Sequence, residues 1–246
     1  MAQNCSNLMD SLPNHGEKRE HIVAFVLQKI VEGSFLPGAR LTTKQIADEL
    51  NVSLTPVREA FAELAGIGVI DLEPNRGATI HCFSKREIQD VCRVRRALEC
   101  EAIRGAIQRI PQSILAKLDQ EFRDLANSPI QGRKNILRAR KLDSQLHDTI
   151  AANCGNEFLN RELQRLSKLF RSFRDASWIE SESREDCDRL TEEAKEHAAI
   201  TSALIARDKI KAVLEMGRHI SASSKYWSRG IVYSDKTTNS LPLNRK

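Results

Sequence analysis

No stretch of this sequence holds the roughly 18 to 20 consecutive apolar residues that a membrane-spanning helix needs. The opening segment, MAQNCSNLMDSLPNHGEKRE, has neither an apolar core nor a basic lead, so a secretory signal is not expected and a cytoplasmic location is. Paired cysteines are missing too. Cys5, Cys82, Cys92, Cys100, Cys154 and Cys187 form no CxxC and no framework spacing, which suits buried thiols in a reducing compartment. Nor is positive charge concentrated at one end. The net charge is +5, yet residues 1–83 hold seven Lys/Arg against ten Asp/Glu, and the remainder holds 31 against 23. Bulk charge therefore identifies no nucleic-acid-binding half, and only a local cluster of Lys44, Arg58 and Arg76 could do so. There is also no internal repeat.

What is present is enough chain, 246 residues with 41% hydrophobic, for two soluble domains with separate cores. The spacing predicts a flexible arm over 1–16, a first domain over 17–83, an all-helical domain over 84–230 and a flexible tail over 231–246. In the first domain a helix over 17–32 carries Ile22, Val23, Val26 and Ile30 on one face. FLPGARL reads as a loop with a Pro-Gly turn. Thr42 and Gln45 have the spacing of a capping box and open a short helix to Leu50. A three-residue turn leads to LTPVREAFAELAG, with Ser53 or Thr55 able to cap and Pro56 tolerated in the first turn. Val57, Ala60, Phe61 and Leu64 form its inward stripe, while Leu54, Thr55, Arg58 and Ala62 lie on the other face. Helix, tight turn and second helix read as helix-turn-helix, and a slim face with an early arginine can enter a major groove. Two β-prone segments flank Pro74-Asn75-Arg76-Gly77 as a small hairpin, or wing, with Arg76 at its tip.

From Ser84 onward only helical patterns occur. Ser84 and Glu87 form a second capping box, Pro111 breaks the first long helix, and Leu115, Leu118, Phe122 and Leu125 give the next its buried face. Further helices fit 133–153, 157–178, 191–207 and 208–228, with 180–188 a polar, acidic loop. Asp143 and His147, at i and i+4, put a carboxylate and an imidazole on one helix face. His197 and His219 sit on or beside the inward faces of two later helices. One oxygen and three nitrogens suit a divalent transition metal without choosing among zinc, nickel and manganese. From spacing alone, hydrogen-bonded core histidines explain the pattern as well.

Taken together, PGARLTTKQIADELNVSLTPVREAFAELAGIGVIDLEPNRGATI closely resembles the winged helix-turn-helix of GntR-family transcription regulators. The segment from Ser84 to about Arg229 resembles the FadR-type (FCD) effector domain of the same family. There VRRALE opens the first helix, LDxxLHxxIAxxxGN carries two metal ligands, and EHxxIxxALxxxD and MxxHI carry the other two. The matching residues here are Asp143, His147, His197 and His219. The resemblance implies a mainly α protein with an N-terminal winged helix-turn-helix and a C-terminal helical bundle. It also implies a homodimeric repressor that binds an inverted-repeat DNA operator and responds to a small carboxylate effector. Lys44, Ser53, Leu54, Thr55, Arg58, Arg76 and Gly77 are the expected DNA-binding residues. Zinc is the favoured ion, with nickel or manganese as alternatives, and Arg95, Arg171 and Arg174 are the expected effector anchors. Asn156, in the CGN turn, is expected to stop a helix. One departure stands out: Leu54 occupies the position after Ser53 where the family usually has arginine. A leucine cannot donate to guanine, though its methyls could meet a thymine methyl. Lys44 likewise stands where arginine is common, and gives a less directional contact.

Three other readings compete. A metal-dependent hydrolase could use open positions on the same ion, but no general base is placed by motif and the DNA-binding domain has no role in it. A regulator could bind its effector without metal, against which the complete ligand set argues. Cys154 near the metal-bearing helix could be a redox sensor, although a buried structural thiol is the commoner case.

Overall fold

The computed structural model describes residues 14–31, 34–73, 77–127, 132–183 and 187–230. The expected tail, the wing tip with Arg76 and residues 1–13 of the expected arm lie outside them; the last two residues of that arm, His15 and Gly16, are already helical, because Asn14 Oδ1 accepts from Glu17 N and the helix opens two residues earlier than expected. Among the described residues there are nine helices and one three-stranded sheet. In chain order they are α1 (His15–Val31), β1 (Arg40–Leu41), α2 (Thr43–Leu50), α3 (Leu54–Gly66), β2 (Ile70–Glu73), β3 (Gly77–Ile80), α4 (Lys85–Ala106), α5 (Gln112–Ala126), α6 (Gly132–Ala152), α7 (Glu157–Ser183), α8 (Cys187–Ile205) and α9 (Lys209–Gly230). No helix among them is long and apolar enough to cross a membrane.

The first domain forms as its periodicity demands. Ile22, Val26, Ile46, Leu50, Val57, Phe61 and Leu64 are buried together. Thr42 Oγ1 accepts from Gln45 N at 3.1 Å, so α2 is capped. Asn51 then takes the left-handed conformation (φ 53°) that makes the tight turn into α3, and asparagine tolerates it better than most residues. Ser53 stands at the N-cap of α3 with extended backbone but makes no capping hydrogen bond, and Thr55 is already helical. The hairpin is joined by a strand that the sequence reading missed. β1, within the segment read as loop, pairs antiparallel with β3, giving the order β1-β3-β2. Two residues are too few to show a period of two. Gly77 is what allows this pairing, since a Cβ there would lie 2.4 Å from Leu41 O.

In the second domain α4 starts with the full reciprocal box: Glu87 N donates to Ser84 Oγ at 3.2 Å and Ser84 N to Glu87 Oε2 at 2.8 Å. Leu115, Leu118, Phe122 and Leu125 of α5 are buried as expected, and Thr201 and Ser202 of α8 donate to Asp119 of α5 at 2.8 and 3.0 Å. The turn after α6 crosses α4 at Gly105, where a Cβ would meet Cys154 O at 1.9 Å. Two expectations fail. The loop placed at 180–188 is mostly helix, because α7 runs to Ser183 and α8 begins at Cys187; polar side chains were mistaken for a break although neither Gly nor Pro is present. Asn156 does not stop α6 but opens α7, accepting from Leu159 N at 3.0 Å; Gly155, at φ 73°, makes the turn.

Candidate functional site

Three helices converge on one buried point of the second domain. Helix α6 supplies Asp143 and His147, α8 supplies His197 and α9 supplies His219, with one ligand atom of each lying within 4.8 Å of the others. His197 Nε2 lies 3.3 Å and His147 Nε2 3.6 Å from Asp143 Oδ1. The Nε2 atoms of His197 and His219 are buried without a hydrogen-bond partner. Unused imidazole lone pairs in a core are costly, and here they face a carboxylate. Ligands about 2.0 to 2.2 Å from one ion would be grouped on this scale. The four residues therefore fit a divalent transition metal, and the alternative of hydrogen-bonded core histidines fails for His197 and His219 at Nε2.

A second layer fixes the ring orientations. His219 Nδ1 donates to Glu196 Oε2 at 2.9 Å, which leaves Nε2 as the acceptor nitrogen. His147 Nδ1 bonds Glu99 Oε2, while its Nε2 lies 3.1 Å from Arg95 Nη2. Arg95 is no surface ion pair: its Nε donates to Glu99 Oε1 at 2.6 Å within α4, and its guanidinium lies over the rings of Phe170 and Trp227. The sequence contained a signal for this layer that its reading passed over. Arg95 and Glu99 are spaced i, i+4.

The electrostatics follow from burial opposed by charge. Burial disfavours a charged His147, but the Glu99 carboxylate overrides it and pushes the pKa up to about 9. Burial, helped by His197, drives His219 down to about 3 and keeps it neutral. Glu99 is held down to about 2 in spite of burial by Arg95 and His147. Beside the cluster opens a cavity of about 30 Å³, lined by Arg95, Ser144, His147, Ser167, Phe170 and Arg171 among others. That space holds a water or two rather than a large ligand. Arg171 stands at its rim and pairs with both oxygens of Asp148 at 2.7 and 2.6 Å. The side chain of Arg174 lies outside the described residues.

The described residues of the expected DNA-facing set belong to α2, α3 with its N-cap, and β3 of the first domain, away from this cluster in sequence and element. Lys44, Ser53, Leu54, Thr55 and Arg58 are all exposed. Arg58 lines a concavity with Thr42, Thr43, Glu73, Gly77 and Arg40, the last of which the sequence reading did not select. Between the domains, α7 touches the far end of the recognition helix α3. Arg165 Nη1 donates to Gly66 O at 2.8 Å, and Lys168 pairs with Glu63, which Arg19 of α1 also meets at 3.2 Å.

A winged helix-turn-helix joined to a helical domain is the architecture of a DNA-binding regulator. The comparisons with known proteins make this specific. Residues 18–80 match the model of the bacterial regulatory proteins of the gntR family, and residues 90–222 match the FCD domain. The chain belongs to the GntR family of transcription regulators, in the branch that carries an FCD domain. It is 30% identical over 186 residues to the Nta operon transcriptional regulator of Aminobacter aminovorans, covering 76% of this chain and 83% of that one. It is 33% identical over 111 residues to the HTH-type transcriptional regulator McbR of Escherichia coli, covering 45% and 50%. With the HTH-type transcriptional repressor RspR of Escherichia coli it shares 33% over 103 residues, covering 42% and 45%. These last two matches span about half the length of those relatives. The structure of Escherichia coli McbR/YncC superposes with a TM-score of 0.69 at 20% identity, over 86% of this chain and 97% of that one. That likeness establishes the shared fold.

Proposed function

We propose that the protein is a repressor that binds an inverted-repeat operator as a homodimer and releases it when a small carboxylate enters the effector domain. In this reading Asp143, His147, His197 and His219 hold one divalent transition metal, with zinc favoured over nickel and manganese. The observation that carries it is the pair of buried, unpartnered Nε2 atoms on His197 and His219, facing Asp143 beside an arginine-lined cavity. Bound there, a divalent ion would supply positive charge and open positions for an anionic oxygen donor. Arg95, fixed by Glu99 and two aromatic rings, offers a guanidinium edge to the same space, and Arg171 guards its rim. Ser144 and Ser167 also line it, with the Ser167 hydroxyl donating to Gln164 O at 2.8 Å. The repressor assignment draws on the printed name of RspR, and the dimer on the two-fold symmetry that an inverted repeat requires.

The route to DNA runs through α7. Its residues Leu163, Ser167, Phe170 and Arg171 face the cavity, while Arg165 and Lys168 hold the end of α3. A cavity of about 30 Å³ is too small for most organic acids, so entry of one must move α7 or its neighbours. The same movement would shift the recognition helix. An effector can move this equilibrium only by its difference in affinity for the two arrangements. Selection of binding sites from random DNA, followed by release assays with a panel of small carboxylates, tests the reading. An inverted repeat, released by a carboxylate from metal-loaded protein alone, is expected. Equal release from metal-stripped protein would remove the ion from the mechanism.

A further inference from the structure

Helix α8 carries two carboxylates close to His197, and only Glu196 has a role in the arrangement so far. Glu193 lies one turn before His197, so the pair Glu193/His197 on α8 repeats the pair Asp143/His147 on α6. Glu193 is 4% exposed. Its Oε1 has long contacts with Arg189 Nη2 and Ser223 Oγ, both 3.4 Å, and its Oε2 has no hydrogen-bond partner among the described residues. Arg189 is committed more closely to Glu196, with Nη1 to Oε1 at 2.7 Å and Nη2 to Oε2 at 3.2 Å. A cavity of about 10 Å³ lies between Glu193, Asp143 and His197, with Phe122, Leu125 and Leu190 in its walls. It has the volume of a single water-sized sphere.

The charges around the site do not balance without something further. Four carboxylates, Glu99, Asp143, Glu193 and Glu196, face two guanidiniums, Arg95 and Arg189, and in a metal-bound form, where His147 has given up its proton, two negative charges would remain for the ion to meet. One divalent ion would match them. Glu193 is less closely compensated than Glu99 and Glu196, which each hold both an arginine and a histidine, whereas its one charged partner, Arg189, stands at 3.4 Å.

We infer that Glu193 belongs to the metal centre as an outer carboxylate that faces the ion across the small gap beside Asp143 and His197. It stabilises the ion by charge through a single bridging water and closes the α8 side, so that an effector approaches only from the side of Arg95 and Ser167. The inference rests on the metal reading above and adds to it a residue outside the four-ligand set. Outer-layer partners of this kind typically alter metal affinity by about 10- to 100-fold.

Full-length protein stripped with chelator and titrated with Co²⁺ or Zn²⁺ against a competing indicator provides the test. Wild type should bind one ion per chain, and Glu193→Gln should bind the same number about 10- to 100-fold more weakly. Glu192→Gln, on the exposed neighbour that pairs with Lys195 at 2.7 Å, should match wild type. A purely structural Glu193 predicts a different pattern, in which the metal-free variant melts well below metal-free wild type. The inference predicts no such loss, because Arg189 keeps its closer pair with Glu196 and the amide leaves no buried charge unpaired. Should Glu193→Gln fail to fold, Glu193→Asp serves, since withdrawing the carboxylate by one methylene should still weaken the ion several-fold. Undiminished affinity in the folded variant overturns the inference while leaving the four-ligand site intact. A wild type that binds no ion overturns both.

Discussion

The two domains bury different kinds of side chain. Among the described residues, every buried polar or charged group, from Arg95 and Glu99 through Asp143, Glu193, His197, Thr201, His219, Ser223 and Ser228, lies in the effector domain. The core of the DNA-binding domain is apolar: Ile22, Leu41, Ile46, Leu50, Val57, Phe61, Leu64 and Ile70. Apolar burial, at about 25 cal/mol per Å², holds the first domain together and leaves its polar groups on the surface. The second buries carboxylates, guanidiniums and imidazoles together, so an ion bound there would add to its stability. Linkage turns that dependence into a signal, because whatever binds the folded form selectively also shifts its conformational balance.

Experiments that remove one side of this contrast should separate the domains. Phe61→Ala should destabilise the first domain by about 3–5 kcal/mol. Hydrogen exchange should then rise across α1 to β3, while metal affinity stays at the wild-type value. Stripping the ion should do the reverse. At a free ion concentration about 1,000 times Kd, binding contributes about 4 kcal/mol, so calorimetry should show the effector-domain transition fall and exchange in α2 and α3 stay constant. Equal loss in both domains would break the comparison.

Smaller changes sharpen it. Arg58→Ala should weaken operator binding by about 1–3 kcal/mol and relax one base preference if Arg58 reads a base; an unchanged footprint would take that role away. Metal affinity should rise with pH. His147 holds a proton up to about pH 9 in the metal-free protein, and the ion needs the neutral ring, so each unit below that should weaken binding about tenfold. The stability of the metal-free protein should move the other way. The raised pKa gives stabilisation that is complete below the ordinary value of 6.5 and is lost as pH climbs through about 9. Metal titrations and melting curves across pH 6.5 to 9 would expose either sign as wrong. The smallest effect is expected at the α7 contact, where Arg165→Ala should change the coupling between effector and operator by about 0.5–2 kcal/mol. Measured operator affinities with and without effector should differ from wild type in their ratio; a ratio that stayed the same would shift the route away from α7.

The contrast also explains which parts were legible from sequence. The inward stripe of α3 and the two capping pairs, Thr42/Gln45 and Ser84/Glu87, are local, and local spacing reports them faithfully. His197 and His219 lie far from Asp143 in sequence, so their convergence needed either a family pattern or the fold itself. The strand Arg40–Leu41 was invisible because its reason for being extended lies across the sheet, at Ala78 and Thr79. The outer carboxylates were missed for a related reason. Glu99 and Glu193 sit at helical spacing beside a functional residue, but such pairs are common on solvated faces, and only burial distinguishes these. Arg165 and Lys168 had no local signal at all, since their partners Gly66 and Glu63 belong to the other domain.

The most direct test of the conditional core is the number of ions held by each chain. Wild type and the double variant His197→Ala/His219→Ala, both shown folded by circular dichroism, should be loaded with Zn²⁺, desalted and analysed for metal. The account predicts one ion per wild-type chain, none in the variant, and effector-free operator binding alike in the two. A variant that keeps its ion, or a wild type that never holds one, would contradict it.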